Sequence, residues 1–189
     1  MNLAKTDDFD HQLMKKTVKY TIFSTNWGCF GIAANNRGLL RTHLPAASPE
    51  IVKSRLLKNL GGAEYDKNLF RPLQKQITAY FEGTCVNFGK DIPLDFGNLT
   101  EFSRLVLNIC RSISFGQTIS YAELAKRAGR PRATRAVGNA LAQNPLPLII
   151  PCHRVIYSNG NIGGFSATGG VRTKKMLICH EQKGFLWGH

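Results

Sequence analysis

Residues 120–144 read SYAELAKRAGRPRATRAVGNALAQN, a stretch with the signals of two short helices joined by a tight turn. Ser120 and Glu123 fit a capping box, in which a hydroxyl and a carboxylate satisfy backbone amides at the start of a helix. This first helix is predicted to run to about Ala128, because Gly129-Arg130-Pro131 interrupts it. Two short helices around a tight glycine turn are typical of a helix-turn-helix.

The second helix is predicted from about Arg132 to Gln143, and Asn144-Pro145 ends it. Its side chains are mostly small, which would let the helix backbone lie close to the minor groove of DNA. Five basic residues lie around the turn with no acidic residue among them: Lys126, Arg127, Arg130, Arg132 and Arg135. These arginines would reach phosphates. The alternative interpretation is a packed helical hairpin with solvated arginines.

The charge distribution points to the same half. The 189 residues include 25 Lys and Arg against 12 Asp and Glu, a formal net charge of +13. Residues 1–100 hold 13 basic and 9 acidic side chains, and residues 101–189 hold 12 and 3. This asymmetry favours a polyanionic partner, nucleic acid first, although a basic protein kept soluble by its charge is the alternative. With 43% apolar and 20% charged residues, the composition excludes a disordered chain, a collagen-like fibre and a disulfide miniprotein.

Five cysteines, at positions 29, 85, 110, 152 and 179, predict free thiols in a reducing compartment, because their number is odd and no export signal is present. No C-x-x-C pair occurs, so no structural zinc site is expected. Cys152 differs from the others, because it follows the buried run Leu148-Ile149-Ile150 and precedes His153 and Arg154. A nearby His or Arg lowers the pKa of a thiol and so favours the reactive thiolate.

A histidine that accepts a thiol proton also needs an acid to orient it. Only three acidic residues occur after residue 100, namely Glu101, Glu123 and Glu181. The first two belong to helix starts, whereas Glu181 lies near the end of a C-terminal helix predicted from about residue 170 to 183. The residues therefore offer a Cys152–His153–Glu181 relay.

The first half of the chain predicts a small sheet with helices. A polar leader is expected over residues 1–16. Alternating apolar residues predict strands over 17–24, 29–33 and 39–44, with a hairpin turn at 35–38. Cap and stop signals predict helices over 48–62 and 72–82, followed by a strand-like stretch and linker over 84–99, with a domain boundary near residue 95. No apolar run approaches the roughly 20 residues of a membrane span.

Several motifs together resemble the alkylguanine-DNA alkyltransferases, also called methylated-DNA–protein-cysteine methyltransferases. They are Ser120-Tyr121-x-x-Leu124-Ala125, Arg135-Ala-Val-Gly138, Asn144-Pro145, Ile150-Pro-Cys-His-Arg-Val155 and Gly163-Gly-Phe-Ser166, with Glu181 beyond them. The resemblance covers essentially all of residues 100–184, whereas the first half of the chain resembles the family only in outline.

The resemblance implies an α+β protein. A ribonuclease H-like domain with a small mixed or antiparallel sheet and helices would occupy residues 17–95, and a helical domain with a winged helix-turn-helix would occupy residues 96–189. The second domain would bind DNA and move an alkyl group irreversibly from the exocyclic oxygen of guanine onto its own cysteine, which is repair by direct reversal. No cofactor and no metal are implied. The implied partner is double-stranded DNA with alkylated guanine, bound by a monomer in the cytoplasm or, in a eukaryote, the nucleus, without a membrane.

The resemblance also implies roles for individual residues. Cys152 would be the nucleophile, His153 would take its proton through a water, and Glu181 would polarise His153. Tyr121 would give a proton to the base and help to rotate the phosphate of the target, so that the base leaves the stack. Asn144 would brace the turn between the second helix and the active-site strand.

The implied contacts with DNA lie in and around the second helix. Arg135 would enter the duplex and fill the gap left by the target base. The other implied DNA contacts are Arg132, Ala136 and Gly138. The implied substrate pocket consists of Val155, Phe165, Ser166 and Pro147. In it, the Ser166 amide would donate to guanine, and the carbonyls of Cys152 and Val155 would accept from its exocyclic amine.

Two departures from the family pattern concern the pocket wall and leave the preferred alkyl size open. Phe165 stands where many members have tyrosine, and residues 166–170 form a slightly longer stretch than in some relatives.

Three other functions stay open from the sequence. The first is an alkyltransferase-like protein that binds lesions without chemistry, a class whose members lack the cysteine. The second is a helix-turn-helix regulator, and the third is a thiol hydrolase that uses Cys152 and His153.

Overall fold

The structure is a computed structural model that describes residues 17–186, so the predicted leader over residues 1–16 lies outside the described residues. The strands are β1 (Lys19–Thr25), β2 (Gly28–Asn35), β3 (Gly38–Ala46), β4 (Glu64–Tyr65), β5 (Ile119–Ser120) and β6 (Val155–Ile156). The α-helices are α1 (Pro49–Leu56), α2 (Arg71–Phe81), α3 (Glu101–Arg111), α4 (Tyr121–Arg127), α5 (Thr134–Ala142) and α6 (Gly170–Leu186). Residues Cys152–Arg154 form a 3-10 turn.

The first four strands form one sheet in the order β3-β2-β1-β4, in which β1, β2 and β3 are antiparallel neighbours and β4 is parallel to β1. The three strands predicted from alternation are present within a few residues of their predicted bounds. Gly38, the last residue of the predicted hairpin turn, has a φ of 132°, and a Cβ at this position would collide with the carbonyl of Pro93. Glycine is therefore required where the segment around residue 93 crosses the edge of the sheet.

Helix α1 begins as predicted but ends earlier. The Ser48 side chain caps it by accepting a hydrogen bond from the first turn. The helix ends at Leu56 and not at the predicted Gly61-Gly62. Asn59 has a φ of 63°, a left-handed conformation that ends a helix, and the Arg41 guanidinium donates to the free carbonyls of Leu56 (2.9 Å) and Lys58 (2.8 Å) at this point.

Residues 84–99 connect the two halves of the chain along the edge of the sheet. The predicted strand-like stretch contains a single bridge, between Leu39 and Leu94, and no longer strand among the described residues. Asp95 is held by an ion pair with Arg37 at 2.7 Å. The domain boundary near residue 95 lies in this segment and stays a prediction.

One hydrophobic core joins the sheet to the helices that follow it. Its buried members include Phe30, Ile32 and Leu39 from the sheet, Tyr80 from α2, and Leu107, Leu124, Val137 and Ile150 from the second half. Helices α4 and α5 form the predicted helix-turn-helix, with the Ser120 hydroxyl accepting from the Glu123 amide at 3.0 Å. The architecture is α+β, as expected. No helix among residues 17–186 has the length and apolar character needed to cross a membrane.

Strand β3 supports the loop that leads to Cys152. The Thr42 amide donates to the carbonyl of Pro145 (3.0 Å), and its buried hydroxyl donates to the carbonyl of Pro147 (2.7 Å). The next residue, Leu148, is buried with a φ of 80°. This left-handed conformation costs a non-glycine residue roughly 1–3 kcal/mol. The sheet therefore stabilises a strained loop of the second half.

Replacement of Thr42 by valine (Thr42→Val) is expected to destabilise the protein by about 1–3 kcal/mol, because the buried carbonyl of Pro147 loses its donor. Urea denaturation followed by circular dichroism measures the change. The control is Thr78→Val, whose hydroxyl donates at 3.0 Å to the Gln74 carbonyl inside α2, an acceptor that the helix already satisfies. An equal decrease in the free energy of unfolding in the two variants would contradict the role of the Thr42 hydroxyl in supporting the loop at Pro147.

Candidate active site

Cys152 lies at the floor of a cavity of about 740 Å³ in the second half of the chain. Helix α5 lines one side with Arg135 and Gly138, and the segment after β6 lines the other with Phe165 and Ser166. The Cys152 side chain is only 6% exposed, and it is one of the residues that line this cavity. A flat molecule that enters between the two sides can therefore reach the sulfur.

Asn144 joins the end of α5 to the thiol. Its Nδ2 donates to the Ile150 carbonyl (2.9 Å) and to Cys152 Sγ (3.1 Å). Its Oδ1 accepts from the Leu146 amide at 3.0 Å. The side chain thus braces the turn in the way that the sequence analysis expects and also contacts the sulfur directly.

The buried carboxylate of Glu181 accepts five hydrogen bonds. Its Oε1 accepts from Tyr80 Oη (2.8 Å), His153 Nε2 (2.7 Å) and Arg154 Nη2 (3.0 Å). Its Oε2 accepts from Arg154 Nε (2.9 Å) and from the Gly116 amide (3.1 Å). The structure brings His153 and Glu181 together as expected, and it adds Tyr80 and Arg154, which the sequence analysis does not place there.

The surroundings of Glu181 fix its ionisation state and the tautomer of His153. Burial alone would raise the pKa of the Glu181 carboxyl, but hydrogen bonds from His153 and Arg154 and the charge of Arg154 outweigh it and lower the pKa to about 2. Because an ionised carboxylate only accepts, Nε2 of His153 holds the hydrogen and Nδ1 has the lone pair. Burial lowers the pKa of His153, so the ring is neutral at pH 7. Its Nδ1 has no hydrogen-bond partner among residues 17–186 and can accept a proton.

The thiol of Cys152 is not activated in the way that the sequence suggests. Burial raises its pKa, and the hydrogen bond from Asn144 and the charge of Lys174 offset this only in part. The expectation that an adjacent His or Arg lowers this pKa is not met, because Arg154 binds Glu181 and His153 is neutral. The resting side chain is therefore a thiol that needs a base.

Lys174 is a buried cation of the site that was not predicted from the sequence. Its Nζ donates to the carbonyls of Val155 (2.6 Å) and Gly164 (3.3 Å) and lies 3.4 Å from Tyr121 Oη. Burial lowers its pKa to about 8. A sequence signal exists, because Lys174 and Glu181 are two helical turns apart on α6 and so place two charged residues on one buried face.

Tyr121 starts α4 and lines the cavity. Burial and the neighbouring Tyr157 raise its pKa, so the hydroxyl keeps its proton at neutral pH. Since the Lys174 ammonium lies beside this hydroxyl, a phenolate formed there would be stabilised. Tyr121 is thus suited to donate a proton into the cavity.

The residues predicted to contact DNA lie on the exposed side of the helix-turn-helix. Arg135 and Gly138 line the cavity, and Arg132 and Ala136 are exposed beside them. A Cβ at Gly138 would meet no atom within 4 Å, so no contact inside the described residues requires glycine at this position. A partner that approaches α5 closely from outside would account for it.

The predicted pocket residues divide into two groups. Phe165 and Ser166 line the cavity around Cys152. Val155 is buried, and its carbonyl accepts from Lys174. Pro147 lines a separate cavity of about 290 Å³ next to β3.

The wall segment, which contains the cavity-lining Phe165 and Ser166, is also attached to the first half of the chain two residues further on. Thr168 Oγ1 lies 3.0 Å from His43 Nε2 and accepts from Arg55 Nη1 at 3.2 Å. Thr168 belongs to residues 166–170, the stretch that is longer than in some relatives. These bonds hold the wall segment against β3 and α1.

The cysteines and histidines of residues 17–186 form no metal-binding cluster of three or more His, Cys, Asp or Glu side chains. All five cysteines are free thiols, as the sequence predicts. Cys110 and Cys152 are buried, and Cys85 and Cys179 are exposed.

Comparisons with known proteins agree with the motifs. The family described as "6-O-methylguanine DNA methyltransferase, DNA binding domain" matches residues 101–183. The methylated-DNA–protein-cysteine methyltransferase of Cricetulus griseus is 35% identical over 173 residues, which cover 87% of this chain and 82% of that protein. The protein of the same name from Methanosarcina acetivorans is 34% identical over 163 residues, covering 86% and 97%. The crystal structure of Mycobacterium tuberculosis OGT in complex with DNA has a TM-score of 0.72 and 30% identity, covering 88% of this chain and 94% of that chain.

Replacement of Glu181 by glutamine (Glu181→Gln) is expected to flatten the acid dependence of stability. The folded-state pKa of about 2 lies below the roughly 4.3 of an unfolded glutamate. The ionised carboxylate therefore stabilises the protein above about pH 4.3, by about 3 kcal/mol, and this contribution is lost as the pH falls toward 2. Chemical denaturation between pH 7 and pH 2.5 measures the free energy of unfolding.

The control is Glu82→Gln, an exposed glutamate at the end of α2. This variant is expected to keep the acid dependence of the unchanged protein. The Glu181 variant is expected to be less stable at pH 7, because Arg154 loses its partner. An acid dependence as steep as that of the unchanged protein would contradict the assignment.

Proposed function

Because this chain belongs to the methylated-DNA–protein-cysteine methyltransferase family, we propose that Cys152 accepts an alkyl group from the exocyclic oxygen of guanine in double-stranded DNA. The reaction is DNA repair by direct reversal, and each molecule acts once because the thioether that forms is stable. The observation that supports Cys152 most is its place at the floor of an open cavity, next to a neutral His153 held by Glu181.

The alkylated guanine reaches Cys152 only after it leaves the base stack, since the sulfur lies at the bottom of the cavity. There, the Ser166 amide would donate to the base, and the carbonyls of Cys152 and Val155 would accept from its exocyclic amine. The first carbonyl already accepts from the Val155 amide and the second from Lys174. Each oxygen has a second lone pair for the substrate.

The first chemical step activates the thiol. His153 takes the thiol proton on Nδ1 by way of a water, and Glu181 stabilises the imidazolium. The sulfur of Cys152 attacks the alkyl carbon, the bond from this carbon to the guanine oxygen breaks, and its electron pair stays on guanine.

The second step neutralises the base that departs. Tyr121 donates its proton to guanine, and the Lys174 ammonium, 3.4 Å from the hydroxyl, stabilises the phenolate. The proton held by His153 then replaces the one that Tyr121 gave. The products are an alkylated Cys152 and neutral guanine, and no net proton is taken up or released.

On DNA, α5 would lie in the minor groove. The small residues Ala136 and Gly138 permit close approach, and Arg135 enters the duplex to occupy the place of the flipped base. Arg132 and the other basic residues around the turn bind phosphates and read little sequence. We expect one monomer to act on each lesion.

The alternative is an alkyltransferase-like protein that binds lesions without chemistry. Such proteins lack the active-site cysteine. Here Cys152 is present in the cavity and its sulfur accepts from Asn144, which favours transfer.

Cys152→Ser is expected to abolish alkyl uptake and to preserve DNA binding, because the hydroxyl is a far weaker nucleophile of similar size. The measurement is intact-protein mass spectrometry after mixing with a duplex that contains one O6-methylguanine. The protein without a substitution should gain one methyl group (about 14 Da) per molecule and no more, and the variant should gain none. Peptide mapping should place the methyl group on Cys152.

The matched control is Cys179→Ser, which removes an exposed thiol on α6 and should leave uptake unchanged. Alkyl uptake that persists in Cys152→Ser would refute the assignment of Cys152 as the acceptor. No uptake by the unchanged protein would refute the transfer reaction.

Gly138→Leu is expected to weaken DNA binding by about tenfold or more without loss of stability. Leucine favours helix over glycine by roughly 0.8 kcal/mol, and its Cβ at this position would meet no atom within 4 Å. Fluorescence anisotropy with a labelled duplex measures the affinity, and thermal unfolding measures the stability. The control is Gln76→Leu on an exposed position of α2, which should leave binding unchanged. Unchanged affinity in Gly138→Leu would contradict close approach of DNA to α5.

A further inference from the structure

Tyr157 is a second tyrosine at the cavity, and the mechanism above gives it no role. Strands β5 and β6 run parallel, with Ser120 opposite Ile156. The next residue after each strand is a tyrosine, Tyr121 on one side and Tyr157 on the other. The strand pairing therefore brings the two rings to the same end of this small sheet.

The ring of Tyr157 is held in a fixed place. Its centroid lies 5.1 Å from that of Tyr121, with an angle of 42° between the planes. Gly163, with a φ of 73°, faces both rings, and a Cβ there would lie 3.0 Å from Tyr157 Cε2 and 3.1 Å from Tyr121 Oη. A glycine in the wall segment thus permits the two tyrosines to pack side by side.

The same ring is open to a partner. Tyr157 lines the cavity that contains Cys152, and yet it is 52% exposed. An aromatic ring that is already in position loses little conformational freedom on binding, so covering its exposed face is favourable.

The chemistry of the reaction determines which part of the substrate lies near the exposed ring of Tyr157. The alkylated oxygen must reach Cys152 at the floor of the cavity. In guanine this oxygen is on the six-membered ring, and the bond to the sugar is at the far side of the five-membered ring. The deoxyribose of the flipped nucleotide would therefore be left at the exposed rim of the cavity, and Tyr157 is a half-exposed residue of its lining.

We propose that Tyr157 is a substrate-binding residue whose ring packs against the deoxyribose of the flipped nucleotide. This inference rests on the proposed function. The contact stabilises the nucleotide outside the helix, on the protein side, while Arg135 occupies the gap on the DNA side. It acts on nucleotides within DNA and not on the free base, which has no sugar.

A comparison of two substrates distinguishes a contact between Tyr157 and the sugar from a merely structural role in which Tyr157 supports Tyr121. The rates of methyl transfer are measured by intact mass, from a duplex with one O6-methylguanine and from the free base O6-methylguanine. Tyr157→Ala is expected to slow the duplex reaction by about tenfold, because the apolar surface of the sugar then stays in contact with water. The free-base reaction should change by less than about twofold, which also shows that the variant is folded. Tyr157→Phe keeps the ring and should match the unchanged protein on both substrates.

The matched control is Tyr65→Ala, which removes a tyrosine of similar exposure (59%) on β4 and should alter neither rate. Equal slowing of both substrates by Tyr157→Ala would overturn the proposal, because Tyr157 would then only support Tyr121. An unchanged duplex reaction in Tyr157→Ala, or a slow one in Tyr157→Phe, would overturn it as well. Failure of the proposed function is distinct, because the unchanged protein would then transfer no methyl group from either substrate.

Discussion

The negative charge of Glu181, buried in the interior, requires a complete set of donors. A carboxylate away from water is tolerated only when its hydrogen bonds are made and its charge is balanced. The donors come from distant segments, since Tyr80 belongs to α2, Gly116 follows α3, and His153 and Arg154 form the turn after Cys152. These segments must therefore dock together before the charge is satisfied, and the same docking places the neutral imidazole next to the thiol.

The site contains two buried cations, and each interacts with a different group. Arg154 balances Glu181 and is not available to lower the pKa of the adjacent thiol. Lys174 lies on the other side, against the carbonyl of Val155 and the hydroxyl of Tyr121. Because of this separation, one end of the cavity has a group that can take up a proton and the other end has a group that can give one. A thiol that stays protonated at rest is consistent with a group that reacts only when a base and a proton donor face the same substrate.

Short-range signals explain what could be predicted from the sequence. The cap at Ser120 and the glycine after α4 define the helix-turn-helix, and the adjacency of Cys152 and His153 marks the reactive turn. Tyr80 could not be assigned to the site, because it lies 101 residues from Glu181 in the chain and sits on an ordinary amphipathic helix.

Two of the predictions that failed involve an arginine whose partner lies elsewhere in the chain. Arg41 donates to the carbonyls of Leu56 and Lys58 where α1 ends early. Burial raises the pKa of the Cys152 thiol, while Arg154 binds the carboxylate of Glu181 and not the thiol. Neither partner can be read from the pattern of apolar and polar residues. Strand β3 shows a related long-range constraint, since Thr42 and His43 occupy consecutive positions and bind Pro147 and Thr168, one before Cys152 in the chain and the other just after the cavity-lining Ser166. The edge strand of the sheet therefore holds both of these segments, although none of the proposed reacting groups lies on it. The two halves are therefore not interchangeable modules: a recombinant that takes the sheet from one relative and the helices from another has to match at these positions.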